Sequence, residues 1–160
     1  MLIGAGIGLF SQLASDLVTS AIDGELSFSH WTSYVGAAAG GAVGNIMPGS
    51  KVLGDVIGST VSTIVGMGGH NIVNRIQGKQ SEYSDEEIMY TAMNNAMLTG
   101  LTSTVVRNCK YAADLESFKL PIPKIEITGM DLAVGAFPAY VDGIRNSKPF
   151  STLSKWAHGW

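Results

Sequence analysis

The sequence predicts a mainly α fold: four Gly/Ala-rich helices over residues 1–108, arranged as two αα-hairpins, then a short mixed C-terminal segment over 109–160. Three observations carry this prediction. Small residues recur at intervals of four along several segments. Gly, Pro-Gly and Ser-acid signals punctuate the chain between those segments. Charge is thin where the small residues lie: of 23 ionisable Lys, Arg, Asp and Glu side chains, only 11 fall in residues 1–106, together with 16 of the 20 glycines. The boundary between the two compositions lies between Arg107 and Lys119.

The first helix is expected from Leu2 to Ile22, closing at Asp23-Gly24. The second starts at Ser29 or Trp31 and runs to Met47, where Pro48-Gly49 stops it. The third extends from Lys51 or Val52 to Ile76 and ends at Gly78. The fourth opens on Ser84-Asp85-Glu86-Glu87 and continues to Asn108. Its opening is a capping box, in which the serine accepts from the amide three residues on and Glu87 reaches back. Three acids in the first turn also suit the helix dipole. Beyond Cys109, Pro121-Ile122-Pro123 forbids a helix, and residues 124–128 alternate polar and apolar side chains like a short strand. A helix bent at Pro138 is expected over 131–146, with a short terminal one over 149–156.

The rows of small residues are Gly36, Gly40 and Gly44; Gly54, Gly58, Ser62 and Gly66; and Ala92, Ala96, Gly100 and Thr104. Gly4 and Gly8 begin another in the first helix. A spacing of four puts each row on one helix face. A groove of that kind lets a second helix approach closely, whereas a mid-helix glycine in water costs about 1 kcal/mol relative to alanine. The nine helix-packing candidates are therefore Gly36, Gly40, Gly44, Gly54, Gly58, Gly66, Ala92, Ala96 and Gly100. An internal repeat accompanies them. Residues 22–29 and 76–84 each give a helix end, a glycine, a polar loop, an aromatic and a serine, with the serines 55 residues apart. This reads as a duplicated αα-hairpin.

A net charge of −3 argues against nucleic acid as the main partner. The single Cys109 excludes an internal disulfide. The apolar start, Met1 to Phe10, has no basic residue before it and no clear cleavage site after it, so it does not read as a secretory signal. Residues 26–50, 56–74 and 88–106 carry no ionised side chain. Their lengths suit a bilayer, which needs about 20 apolar residues, but Gly, Ala, Ser, Thr and Asn fill them in place of Leu, Ile and Phe. The two readings are a membrane inserter and a soluble close-packed bundle. A bundle that is soluble until it meets a bilayer accommodates both.

Sites are sparse. Gly4-Ala5-Gly6-Ile7-Gly8 resembles a dinucleotide loop, but the third glycine is one residue early and no strand precedes it. Residues 44–51 resemble a phosphate loop with Lys and Ser exchanged, and follow a helix, so an interhelical turn is expected. His30, His70 and His158 have no partner at metal-ligand spacing, and no metal or cofactor site is readable. His70 and His158 are the candidate catalytic residues; for His70 the alternative is a hydrogen-bonded residue near a helix bend. Asp55, the one ionised residue well inside a small-residue helix, is a pairing or pore candidate in a membrane and a solvated side chain otherwise. Trp31, Tyr34, Trp156 and Trp160 are membrane-interface candidates, or core and cap residues.

Leu2-Ile3-Gly4-Ala5-Gly6-Ile7-Gly8, then residues 12–17, Gly24-Glu25-Leu26-Ser27, Trp31 and residues 35–44 resemble the Gly/Ala-rich segment of C-terminal regions in RHS/YD-repeat polymorphic toxins of Gram-positive bacteria. The resemblance covers residues 1–105; YD repeats and the proline-bounded core motif are absent from this chain. It implies a secreted or cell-surface setting as part of a larger bacterial protein. It also implies three partners: a parent repeat shell, an immunity protein and a target-cell membrane. It transfers no catalytic residue. The expected function is a membrane-interacting, translocating or pore-forming helical module without an active site, with self-association as a further possibility. The alternatives are a small toxin enzyme such as a nuclease, with its site in residues 107–160, and an inert spacer.

Overall fold

The computed structural model describes residues 2–108 and, of the remainder, residues 140, 141, 143, 144 and 147–149. Four helices account for most of them: α1 (Leu2–Asp23), α2 (Trp31–Ile46), α3 (Lys51–Ile76) and α4 (Asp85–Asn108). The protein is mainly α, and no strand occurs among the described residues. The strand expected over 124–128 lies outside them, as do Cys109, Trp156, His158 and Trp160. Tyr140, Val141, Gly143 and Ile144 are helical, within the stretch expected to be so.

The helix ends follow the local chemistry. Gly24 and Gly78 take φ of +70° and +72°, the left-handed backbone that ends a helix most cheaply in glycine. Ser84 Oγ accepts from the Glu87 amide at 3.1 Å, which forms the serine half of the capping box. The second helix starts at Trp31, one of the two starts expected, and ends one residue early at Ile46. His30 is its N-cap, accepting from the Thr32 amide through Nδ1, and Met47 leaves the helix as its C-cap. Ser29 is diverted from capping because its hydroxyl donates to Asp16.

The helices pack in chain order, each antiparallel to the next, and α1 and α4 do not meet. The tightest seam is α2 against α3. A Cβ on Gly36 would stand 2.6 Å from the Gly66 nitrogen, and one on Gly44 would stand 2.6 Å from the Gly54 oxygen. Gly40 lies directly over the Gly58 carbonyl, and Gly58 over that of Gly40. The α1–α2 seam is built the same way, Gly4 against Gly41 and Gly8 against Ala37. Around α4 the contact is looser: a Cβ on Gly100 would meet Val56 at 3.1 Å, and Ala92 is buried. Backbones this close leave no room for large side chains between them.

Burial is consequently inverted. Among the described residues the buried apolar side chains are Ala37 and Ala92, while nine polar residues are buried, from Ser15 and Asp16 to Ser103 and Ser147. Many large apolar side chains point outward. Leu9, Leu13 and Leu17 on α1, Leu53, Ile64 and Ile72 on α3, and the four-spaced row Met89, Met93, Met97, Leu101 and Val105 on α4 are all exposed. Burying one such side chain is worth about 1.5–3 kcal/mol, and a whole domain's net stability is about 5–15 kcal/mol. Each of the twenty-three large hydrophobics left exposed withholds part of that contribution from the fold. The α1 and α3 helices are long and apolar enough to cross a membrane.

A polar groove as the candidate functional site

Because α1 and α4 stand apart, the concave side of the bundle is a groove of about 1050 Å³ touched by all four helices. Glycines of α2 and α3 form much of its floor, and hydroxyl, amide and charged side chains line it, including Ser11, Ser59, Thr63, Asn95 and Thr99. Three hydrogen-bonded clusters sit along it.

The first is centred on Asp16, which is 4 % exposed although it occupies the middle of an apolar helix. Its carboxylate accepts from the Ser29 amide at 2.9 Å, the Ser29 hydroxyl at 2.6 Å, Gln12 Nε2 at 3.1 Å and the Tyr34 hydroxyl. A buried carboxylate without such donors would be very costly. Four donors hold this one, and in doing so they tie the 24–30 turn to α1. Tyr34 thus spends its hydroxyl inside the bundle, while its neighbour Trp31 is 57 % exposed at the head of α2.

The second cluster is at the same end, where α3 turns into α4. Asn71 accepts from the Glu82 and Tyr83 amides, both at 3.0 Å, and donates to the Tyr83 carbonyl at 2.7 Å. His70 Nε2 lies 2.6 Å from Glu82, and its ring meets His30 edge-on at 4.3 Å between centroids and Tyr83 at 5.7 Å. Burial, reinforced by the Glu82 and Glu87 carboxylates, pushes the Tyr83 phenol up. Among the described residues no hydroxyl or thiol hydrogen-bonds His70, so a nucleophile–base pair is not assembled there. Nor does any group of three His, Cys, Asp or Glu among them have the arrangement to hold a metal ion.

The third cluster sits at the opposite end. Asp55 accepts from Ser103 Oγ at 2.6 Å and from Arg107 at 3.0 Å, and Arg107 Nε donates back to Ser103 at 3.1 Å. Of the two alternatives for Asp55, the paired one is formed. Between the end clusters, Asn95 donates to Thr63 at 3.1 Å and links α4 to α3.

The nine small helix-packing candidates divide by seam. The six glycines from Gly36 to Gly66 face one another between α2 and α3, while Ala92 and Gly100 lie on α4, Gly100 against Val56. Ala96 is half-buried on the same helix. Gly41, which the spacing rule passes over, is the residue that receives Gly4. Asp16 and Arg107 carried no signal as members of a site. The described C-terminal residues add further contacts: Gly143 packs on Val18, Thr19 donates to the Gly143 carbonyl at 3.0 Å, and Lys148 meets Glu25 at 2.8 Å. Lys148 holds the Glu25 carboxyl below its usual range by hydrogen bond and charge, although both side chains are solvent-exposed.

No protein-family model, curated protein or solved structure matches the chain.

Proposed function

We propose that residues 2–108 form a membrane-inserting helical module. The observation that carries this reading is the inverted burial, with large apolar side chains outside and small or polar ones between the helices. Water penalises that arrangement, whereas hydrocarbon favours it. In a bilayer, helix association comes from close backbone packing and interhelical hydrogen bonds rather than from apolar burial. The α2–α3 glycine seam supplies the packing, and Asp55–Arg107 and Thr63–Asn95 supply the bonds.

The charge distribution supports a direction of insertion. Residues 47–50, which join α2 to α3, carry no charge, whereas Asp23, Glu25, Glu82, Asp85, Glu86 and Glu87 gather at the opposite end. Carrying a charge into a bilayer is expensive. The tip end, whose charges are Lys51 and the mutually paired Asp55 and Arg107, is therefore the cheaper end to carry across, and the acidic end stays on the side of approach. The resemblance to RHS-type toxins supplies the setting: a larger secreted bacterial protein delivers the module to a target cell, and an immunity protein protects the producer.

Flotation with phospholipid vesicles tests the reading. The chain is expected to rise with vesicles, and a thiol placed at Ser50 in a Cys109→Ser background is expected to be labelled from the lumen but not from outside. No binding at any lipid composition or pH would sink the idea.

A further inference from the structure

Resting on the membrane reading above, we infer that the groove between α1 and α4 is a water-filled path for small monovalent cations. Ser11, Thr63 and Asn95 already donate within the bundle, but their oxygens, with those of Ser59 and Thr99, keep acceptor capacity that hydrocarbon cannot meet, so on insertion this lining draws water in with it. The volume of about 1050 Å³ holds on the order of 35 waters at roughly 30 Å³ each. Spread over a helix length of roughly 30 Å, the cross-section is about 35 Å². That admits a hydrated file of small ions and excludes an organic dye.

The sign of the permeant ion follows from the lining. Four carboxylates, Asp16, Asp55, Glu82 and Glu87, face the groove against the two cations Lys51 and Arg107. Arg107 is engaged by Asp55, and Asp16 is held by neutral donors. The exposed Glu87 stands at the acidic mouth. Hydroxyl and amide oxygens between the two ends replace part of a cation's hydration shell, and a mouth lined by carboxylates concentrates cations.

The experiment is vesicle flux with the whole chain, loading vesicles with potassium chloride and a self-quenched anionic dye. The expected result is potassium release with dye retained, and a potassium preference over chloride at least fivefold, reduced at least twofold in Glu87→Gln. In a Cys109→Ser background, Ser59→Cys is expected to lose at least fivefold of its flux on adding a cationic, water-soluble thiol reagent. Ile64→Cys, on the exposed apolar side, is expected to lose none. Vesicle-bound protein without flux, dye escaping together with potassium, or a Ser59→Cys flux untouched by bound reagent would each overturn the conduit and leave insertion standing. Failure to float with vesicles overturns insertion itself.

Discussion

The α1–α2 and α3–α4 hairpins close by the same device, built from different chemistry. In each, a buried polar residue midway or later along the first helix reaches across the turn: Asp16 to Ser29, and 55 positions later Asn71 to Glu82 and Tyr83. Each first helix is followed by a left-handed glycine, Gly24 or Gly78. The turns differ in what they present. The first offers donors only to Asp16, from Ser29, Gln12 and Tyr34, and an acceptor-only carboxylate satisfies them. The second offers two amides and one carbonyl, and only a side chain that both accepts and donates can meet all three. The choice between acid and amide thus follows the groups that each side chain meets, from the turn and, for Asp16, from the flanking helices.

The seam between the hairpins is expected to matter more than either turn. Gly40→Val drives two methyls into the Gly58 carbonyl, where nothing flexible can yield. Overpacking of a core costs about 1–3 kcal/mol, occasionally more, and a clash with backbone belongs at or beyond the top of that range. Circular dichroism should show loss of cooperative melting. The matching control is Gly68→Ala, where a Cβ meets nothing within 4 Å. It should stabilise α3 by up to about 1 kcal/mol. Equal melting temperatures for the two variants would mean that the seam does not join the hairpins.

Within the hairpins, Asp16→Ala strands four donors, one of them a backbone amide, and is expected to cost about 3 kcal/mol. Asn71→Ala strands three groups, at about 2 kcal/mol. Exchanging the two chemistries sharpens the comparison. Asn71→Asp places a carboxylate against the Tyr83 carbonyl and should lose about 2 kcal/mol. Asp16→Asn turns an amide NH₂ toward the Ser29 donors and should lose about 1–2 kcal/mol. Chemical denaturation of the four variants measures all of these losses. If both exchanges were silent, the turns would not be selecting acid from amide.

The seam was legible in the sequence and the turn clasps were not, for a physical reason. Glycines at 36, 40 and 44 repeat with the helix and announce a face. Asp16 carries no such pattern, because its donors lie at 12, 29 and 34 and converge only when the hairpin closes. Asp55 found its partner 52 positions away. Ser29 is one of the two starts the sequence offers for α2, since serine before a helix commonly caps it, but its hydroxyl is directed to Asp16 and His30 takes the cap. The duplication itself was visible in residues 22–29 and 76–84. Its mechanical content, a buried side chain clasping each turn, required the fold.

The smallest effect is the response of each hairpin to pH. Tyr83 stands where the first hairpin has Phe28, again 55 positions apart, so only the second turn carries an ionisable ring there. Burial, with Glu82 and Glu87 nearby, raises the Tyr83 phenol above its unfolded value of about 10. A raised acid binds its proton more tightly in the folded state. Its contribution is therefore complete below the unfolded pKa and is lost as pH rises through the folded one. Both turns are expected to loosen above about pH 10, because the Tyr34 phenol that donates to Asp16 is likewise raised, to about 12, by burial and by the Asp16 carboxylate. Amide exchange at Tyr83 and at Ser29 over that range measures the two responses. Tyr83→Phe should remove the response of the second turn and leave that of the first, and Tyr34→Phe should do the reverse; if the second turn still loosened in Tyr83→Phe, the cause would lie in the surrounding carboxylates and not in the phenol.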